Sequence, residues 1–158
     1  MRTTTASRSR HLSTALTRSV SPLRAGYRIG VDVVHIPTWQ RQLTLAGEPL
    51  LTRIYTPNEL AFAAGRADRL ATRLAAKEAI LKLLGTGVRQ SALRDVEVVT
   101  LSTGEPTIRL AGPAARKASA LRLGGIAISL AHEDEFAVAV ALGRPAPPMD
   151  HEEELDDD

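Results

Sequence analysis

The stretch "RLAAKEAILKLLGTG", residues 73–87, decides the fold. At 100° per residue it predicts a helix whose leucines fall on one apolar stripe: Leu70, Leu74, Leu81 and Leu84. Lys77 falls inside that stripe, and Glu78 and Lys82 border it. Charged side chains where a helix meets its core require either buried partners or a functional reason.

Each charged residue also has an ordinary structural interpretation. Glu78 and Lys82 are spaced for an i,i+4 surface pair worth a few tenths of a kcal/mol. Lys77 is long enough to extend past the leucines to water. Outside this stretch, Asp32 lies in the apolar run "IGVDVV", where it would end a strand or cap a turn. His132 precedes three acids in a solvated hairpin loop.

Taken together, these residues indicate a metal-bound ligand rich in phosphate. Two carboxylates on different elements suit Mg²⁺, which takes one or two carboxylates together with waters and phosphate oxygens. Arg73 and Lys77 share a helix face on which a phosphate would bind. The "GTG" at the helix end, Gly85–Thr86–Gly87, offers flexible backbone amides for the same purpose.

The composition excludes several classes of site. The chain has 158 residues and no cysteine, which rules out disulfides, thiolate metal sites and cysteine nucleophiles. No apolar run approaches the ~18 residues of a membrane span. Only 3% of the residues are aromatic, so base-stacking platforms for a nucleic acid are scarce. We therefore expect no membrane and no nucleic-acid partner, and a cytoplasmic protein.

The charge distribution divides the chain into three parts. Residues 1–25 form a basic leader, which has the composition of a transit peptide or of a disordered segment. Residues 26–143 form the folded domain. Residues 144–158 are rich in proline and then acidic, which is typical of a disordered tail, and no packed structure is expected beyond Gly143.

Within the domain the element order predicts an α+β fold with antiparallel strands. "YRIGVDVVHI" predicts a first strand and "TWQRQLTLA" a helix. Thr56, Pro57 and Glu59 form the capping box of a short helix. Asp68 is expected to cap a long helix over 69–84, with Gly85 just past its end. "DVEVVTL" and "PTIRL" predict a hairpin, Pro113 opens a helix, and "GIAISLA" and "FAVAVAL" flank "HEDE" as the last two strands.

At this point the sequence resembles a known family. "IGVDVVHI", "RIYTPNEL", "RLATRLAAKEAILKLLGTG", "DVEV…TGEPTI" and "ISLAHEDEFAVAVAL" occur in the order seen in holo-acyl-carrier-protein synthases, the short type of 4′-phosphopantetheinyl transferase. The resemblance runs from about Gly30 to Leu142. It implies a sheet packed on a long helix, and a homotrimer with sites between neighbouring subunits.

The resemblance also implies an activity. Such enzymes move the phosphopantetheine arm of coenzyme A onto a serine of an acyl carrier protein and release adenosine 3′,5′-bisphosphate. Mg²⁺ is the expected metal, with Mn²⁺ as its expected substitute. The carrier would belong to a fatty-acid synthase, or to a polyketide or peptide synthase.

The residues match the family pattern position by position. Asp32 and Glu78 match the two metal ligands, and Lys82 matches a lysine on the pyrophosphate; these three are the expected catalytic residues. The remaining expected contacts to coenzyme A are Arg73, Lys77, Gly85, Thr86, Gly87 and His132. The base that deprotonates the carrier serine is Glu78 or a metal-bound water.

The sequence departs from the family pattern at three positions. Ala131 replaces a serine, with Ser129 retained nearby; His35 replaces an acid, and Thr38 a basic residue. The last two changes affect the expected carrier-docking surface more than the chemistry.

Two alternatives to the transferase remain: a catalytically silent relative that binds coenzyme A or a carrier, and a basic nucleic-acid-binding module.

Overall fold

One helix organises the structure. The computed structural model describes residues 26–86 and 93–147. Its longest helix, α4 (Ala67–Leu84), is buried at 13 of 18 positions. Neighbours therefore surround this helix on nearly every side, and the expectation of a single leucine stripe was too narrow. The alanine-rich sequence "LAAKEA" explains the close approach, because small side chains let adjacent backbones pack closely.

The other elements follow a simple order. Those that precede α4 are β1 (Arg28–His35), α1 (Ile36–Ala46), α2 (Glu48–Ile54) and α3 (Pro57–Ala63). After α4 come a 3₁₀ turn (Leu93–Asp95), β2 (Val96–Thr100), β3 (Pro106–Leu110), α5 (Gly112–Ala120), β4 (Leu123–Glu133) and β5 (Phe136–Pro145). The predicted α+β class with antiparallel strands is confirmed.

Two sheets cover α4. The larger has the order β1-β5-β4 and the smaller pairs β2 with β3, all antiparallel. On the inner face of the larger sheet Gly30 lies opposite Ala141, and Asp32 lies opposite Ala139. A Cβ at Gly30 would collide with the carbonyl oxygen of Ala79 on α4. The helix backbone therefore rests directly on β1, which brings Asp32 close to helix side chains.

The core has two parts that meet along α4. One lies between the C-terminal half of α4, the sheets and α5, and the other lies among α1, α2, α3 and the N-terminal half of α4. Val34 and Leu93 pack against both. These two residues therefore connect the halves of the core at the level of Asp32.

Several predicted boundaries were wrong. Asp68 does not cap α4; the helix begins at Ala67, two residues before the predicted start, and Asp68 lies in its first turn with its Oδ2 2.7 Å from Arg66 Nη2. An acid in the first turn is favourable because of the helix dipole. Helix α2 was not predicted, because "GEP" has the composition of a loop; Gly47 (φ 63°) ends α1, and Pro49 lies in the first turn of α2.

The last hairpin is longer than predicted. Strand β4 continues through His132, so the histidine lies in a strand rather than in a loop. Strand β5 reaches Pro145, and Ala146 N–H donates to Arg122 O at 2.7 Å, so ordered structure passes the expected limit at Gly143. The predicted leader, Gly87 and most of the predicted tail lie outside the described residues.

Candidate active site

Asp32 lies in the middle of β1 rather than at its end. Its side chain is on the inner face of the sheet, toward α4, and the residue is only 8% exposed. The structural interpretation of Asp32 as a strand end or a turn cap is therefore wrong. A carboxylate in that position requires charged or hydrogen-bonding partners.

Lys82 supplies one such partner. Its Nζ lies 2.6 Å from Asp32 Oδ1 and 3.0 Å from the carbonyl oxygen of Val31. The ammonium remains accessible, since the Lys82 side chain is 56% exposed. Lys82 thus forms an ion pair with Asp32 on β1, and part of its ammonium group faces solvent, where an anionic group of a ligand can reach it.

Glu78, one turn before Lys82 on α4, is the second carboxylate. Burial raises the pKa of Glu78, the negative charge of Asp32 raises it further, and the Lys82 ammonium partly offsets both effects. A hydrogen bond between the two carboxyl groups acts in the same upward direction. Two carboxylates this close repel each other when both are ionised, so the pair favours binding of a cation.

The donor set fits a divalent metal with few protein ligands. Within residues 26–86 and 93–147, no group of three or more His, Cys, Asp or Glu side chains forms a metal cage. A pair of carboxylates suits Mg²⁺, which keeps several waters and takes phosphate oxygens for the rest. The predicted metal ligands Asp32 and Glu78 are thus placed together, with Lys82 beside them.

A pocket of about 290 Å³ opens beside the two carboxylates. Asp32, Glu78 and polar side chains from α1 form one part of its wall. The apolar part of the wall consists of Val33, Val34, Trp39, Ile54, Leu74 and Leu93. A polar end next to an apolar wall suits a ligand with a phosphate group and an extended, uncharged arm.

The structure places Lys77 away from any ligand. The side chain has no exposed surface, and its Nζ lies 2.8 Å from Glu59 Oε2. Nζ also donates to the carbonyl oxygens of Leu93 (3.1 Å) and Val96. All three ammonium protons therefore have acceptors inside the protein. The expected contact of Lys77 with coenzyme A needs correction, as does the alternative that Lys77 extends to water.

Arg73 is also buried, with 4% exposure. Its guanidinium donates to Thr100 Oγ1 (3.1 Å) and to Arg69 O (3.3 Å), and its Cζ lies 3.9 Å from the centre of the Phe62 ring. Burial lowers its pKa. Five residues separate Arg73 from Glu78, so the two point about 140° apart around the helix. Within one chain Arg73 does not join the carboxylate pair.

His132 lies near the other end of α4. Its Nε2 is 3.8 Å from Asp68 Oδ2, and its side chain is 49% exposed. Asp68 is ten residues before Glu78, which corresponds to about 15 Å along the helix. The predicted phosphate contact from His132 is therefore separated from Asp32 and Glu78 within a single chain.

The end of α4 uses the amides that were expected to bind phosphate. Gly85 adopts φ 69°, and its N–H donates to Lys82 O at 3.0 Å. Thr86 N–H donates to Leu81 O at 2.9 Å. This pair of bonds is a Schellman-type cap, which satisfies the last carbonyls of the helix. The amides of Gly85 and Thr86 are thus committed to the cap.

Comparison with known proteins decides the family. The model of the 4′-phosphopantetheinyl transferase superfamily matches residues 28–141, from the start of β1 into β5. The chain belongs to this superfamily. The match covers both sheets, α4 and every described site residue.

Curated relatives narrow the family to its short type. A holo-[acyl-carrier-protein] synthase of Gloeobacter violaceus is 46% identical over 72% of this chain and 89% of its own length. Those of Solibacter usitatus and Geobacter sulfurreducens are 41% and 40% identical, over 91% and 96% of their own lengths. The resemblance to holo-acyl-carrier-protein synthases is confirmed, and with it the transferase activity.

Solved structures agree with the fold. A holo-[acyl-carrier-protein] synthase from Neisseria meningitidis superposes with a TM-score of 0.67 at 30% identity, covering 74% of this chain and 97% of that one. The acyl carrier protein synthase of Mycobacterium tuberculosis superposes with a TM-score of 0.60 at 36% identity, covering 76% and 97%. An ACPS–CoA complex of Chronobacterium ammoniagenes gives 0.67 at 28%, covering 77% and 98%.

Two of the three departures from the synthase pattern have structural roles in this chain. His35 Nδ1 accepts from Thr38 N–H at 3.3 Å and so caps α1, a task that an acid at the same place could also perform. Thr38 Oγ1 accepts from Arg41 Nη2 at 3.2 Å. Arg41 therefore places a basic group next to position 38. Ala131 lies exposed in β4 beside His132.

Sequence reasoning missed the residues that hold this synthase site in place. Glu59 was identified only as the third residue of a capping box, yet it is the buried counter-ion of Lys77. Trp39 Nε1 donates to Tyr55 Oη (3.1 Å), which donates to Leu70 O (2.8 Å) and fixes α1 against α4. Lys77 in the apolar stripe was only a partial signal for Glu59, because such a lysine requires either a buried acid or a functional reason and the sequence does not distinguish the two.

Proposed function

We propose that this synthase transfers 4′-phosphopantetheine with Asp32 and Glu78 as ligands of one Mg²⁺ ion and Lys82 as the contact to the coenzyme A pyrophosphate. The two carboxylates that line one pocket, with the Lys82 ammonium 2.6 Å from Asp32, carry this proposal. Mn²⁺ is expected to substitute, because it accepts the same oxygen ligands.

The chain's own residues position the reactants. The Lys82 ammonium binds a pyrophosphate oxygen while it remains hydrogen-bonded to Asp32. The apolar pocket wall receives the pantetheine arm, so that the β-phosphorus lies at the carboxylate end. When bound, the metal would stabilise negative charge on the pyrophosphate.

With coenzyme A bound in this way, the transfer reaction proceeds by exchange of one bond at the β-phosphorus. The serine oxygen of the carrier forms a bond to the β-phosphorus, and the bond from that phosphorus to the bridging oxygen breaks. Adenosine 3′,5′-bisphosphate leaves with the bond electrons. The serine proton passes to a base at the site, for which Glu78 and a water on the bound metal are the two candidates.

We further propose a homotrimer. The outer face of β1 and β5 is apolar and exposed, and its members are Ile29, Val31, Val33, Phe136, Val140 and Leu142. A contiguous apolar patch of this kind marks an interaction surface. Its burial between copies would also allow His132 of one subunit to approach the carboxylate pair of another, from which it is separated within one chain.

The partner is an acyl carrier protein, and a fatty-acid synthase carrier is the first to test. Polyketide and peptide synthase carriers are further candidates. Among the described residues no helix is both long and apolar enough to cross a bilayer. A cytoplasmic location remains our prediction.

The metal assignment has a direct test. Thorough chelation with EDTA should stop transfer to an apo carrier, and added Mg²⁺ or Mn²⁺ should restore it. Asp32→Ala and Glu78→Ala should each lose most activity while the circular dichroism spectrum is retained. Transfer that continues at the same rate after chelation would refute the site.

A further inference from the structure

The buried ammonium of Lys77 fixes a point where three elements meet. Its counter-ion Glu59 lies in the first turn of α3, where Oε2 accepts from Thr56 N–H at 2.8 Å and Oε1 accepts from Val98 N–H at 3.0 Å. Lys77 itself stands in the middle of α4, directly before Glu78. The pair therefore joins α3, α4 and β2 in one hydrogen-bonded network with every donor of the ammonium used.

The same ammonium binds the chain where it returns from the end of α4. Its acceptors are Leu93 O, in the first residue of the 3₁₀ turn, and Val96 O, in the first residue of β2. The Leu93 side chain lines the pocket that contains Asp32 and Glu78, and it packs against both parts of the core. Lys77 thus holds the backbone of a residue whose side chain forms the pocket wall.

We infer that Lys77 is a positioning residue for the transferase: paired with Glu59, it holds Leu93 in the wall that receives the uncharged arm of coenzyme A. This inference rests on the proposed function of the pocket. It assigns Lys77 a role that involves no contact with phosphate. It also explains why a lysine is placed where four leucines define the apolar stripe of α4.

The alternative is a purely structural pair that supports the fold alone. The structural role and the positioning role of the Lys77–Glu59 pair predict different effects on coenzyme A binding. A structural pair affects stability and leaves the Michaelis constant of the folded fraction unchanged. A positioning role changes KM for coenzyme A while kcat changes less, because Asp32, Glu78 and Lys82 remain in place.

The test uses the full chain with Lys77→Met and Glu59→Gln combined. This double variant leaves no unpaired charge, and glutamine retains the capping box. We expect it to fold and to show about a tenfold higher KM for coenzyme A, equivalent to about 1.4 kcal/mol, with kcat within about threefold. Ile108→Ala, a core change on β3 away from the pocket, is the matched destabilising control and should leave KM unchanged.

Leu93→Ala provides the second variant. It should raise KM for coenzyme A by itself, and in the double-variant background it should add much less than its own effect, because both act on the same wall. The single tryptophan, Trp39, lines the same pocket and reports coenzyme A binding by fluorescence, independently of turnover.

These results separate the inference from the proposed function. A wild-type chain that binds coenzyme A but transfers nothing would refute the transferase site, while the Trp39 titrations would still test Lys77. A wild-type KM in the folded double variant, or in Leu93→Ala, would overturn the inference. The inference would also be overturned if the KM increases of Leu93→Ala and of the double variant multiplied fully when the changes are combined. An equal rise in KM for Ile108→Ala would overturn it as well.

Discussion

Lys82 Nζ lies 2.6 Å from Asp32 Oδ1, and this contact joins the last turn of α4 to the middle of β1. The two residues are 50 positions apart, and Glu78 lies one turn before Lys82 on the same helix. The close packing of α4 on Gly30 makes the contact possible. A cation within reach of two carboxylates is therefore a consequence of how the helix rests on the sheet.

The first prediction concerns Lys82. Lys82→Met should reduce kcat/KM for transfer by about 10²-fold, the usual effect of removing one charge-stabilising donor. Lys82→Arg should retain only part of the wild-type kcat/KM, because a guanidinium is broader and cannot occupy the same position. Thermal stability should also fall, because the largely buried Asp32 loses the partner that Lys82 supplies, so kcat/KM is compared per folded enzyme. The control is Lys117→Met, which removes the chain's third lysine, on α5. An equal loss of kcat/KM in that variant would contradict a specific role for Lys82.

The second prediction concerns pH and Glu78. Because its pKa is raised in the folded, metal-free chain, the folded state holds a proton more tightly than the unfolded state. The stability contributed by Glu78 is therefore fully present below its ordinary pKa and is lost as the pH rises through its raised value. In EDTA at neutral pH, Glu78→Gln should be more stable than wild type by about 1 kcal/mol, a few degrees in Tm.

Metal addition supplies the matching control for Glu78. Mg²⁺ should raise the Tm of the wild type, because it binds the folded state alone, and it should leave Glu78→Gln nearly unchanged. Differential scanning calorimetry at several pH values measures both effects. Equal stabilisation of the two proteins by Mg²⁺ would exclude Glu78 as a ligand.

The third prediction concerns the buried Lys77–Glu59 pair. Lys77→Met alone leaves the Glu59 carboxylate unpaired in the core and should cost about 3–5 kcal/mol. The combined Lys77→Met and Glu59→Gln change should recover most of that loss, since no buried charge remains. Urea unfolding monitored by circular dichroism measures both.

An ion pair whose arginine is exposed gives the comparison for this result. Arg109 Nη1 lies 2.8 Å from Glu97 Oε2, with the arginine side chain 66% exposed and the glutamate side chain 10% exposed. Arg109→Gln should cost about 1 kcal/mol, because the guanidinium is solvated and Glu97 keeps the hydrogen bonds from Thr56 Oγ1 and Asn58 Nδ2. A single Lys77→Met variant as stable as Arg109→Gln would show that the buried network contributes no more than a surface contact.

The fourth prediction concerns assembly. Val140 lies opposite Val31 in the exposed apolar face of the sheet. Val140→Lys should place a charge in the proposed subunit interface and shift the protein from trimer to monomer, with loss of transfer. Light scattering at assay concentration measures the mass. Leu45→Lys, at an exposed position on α1, should leave the oligomeric state unchanged, and a fully active wild-type monomer would contradict the trimer.

The sequence predicted the elements that have clear local signals. The alternating residues of β1, the capping box of α3 and the glycine after α4 each specify their structure within a few positions. Asp32, Glu78 and Lys82 were expected at one site, and the structure brings them together. That expectation came from an acid isolated in an apolar strand and from the family resemblance.

The remaining site residues depended on contacts between distant segments. Lys77 and Arg73 have the residue types of phosphate ligands, but the fold buries both, one against Glu59 and the other against Phe62 and Thr100. No local pattern distinguishes a lysine that faces a ligand from one that faces an acid on another helix. Gly85 and Thr86 likewise have the composition of a phosphate loop while their amides close a helix.

The measurement that tests this account most directly is the mass of an apo acyl carrier protein after incubation with the full chain, coenzyme A and Mg²⁺. We predict that the carrier gains one phosphopantetheine on its serine and that adenosine 3′,5′-bisphosphate appears in equal amount. Asp32→Asn and Glu78→Gln, folded to the same extent, should give almost no product. A carrier whose mass stays unchanged with the wild-type chain, or rises equally with both variants, would contradict the proposed active site.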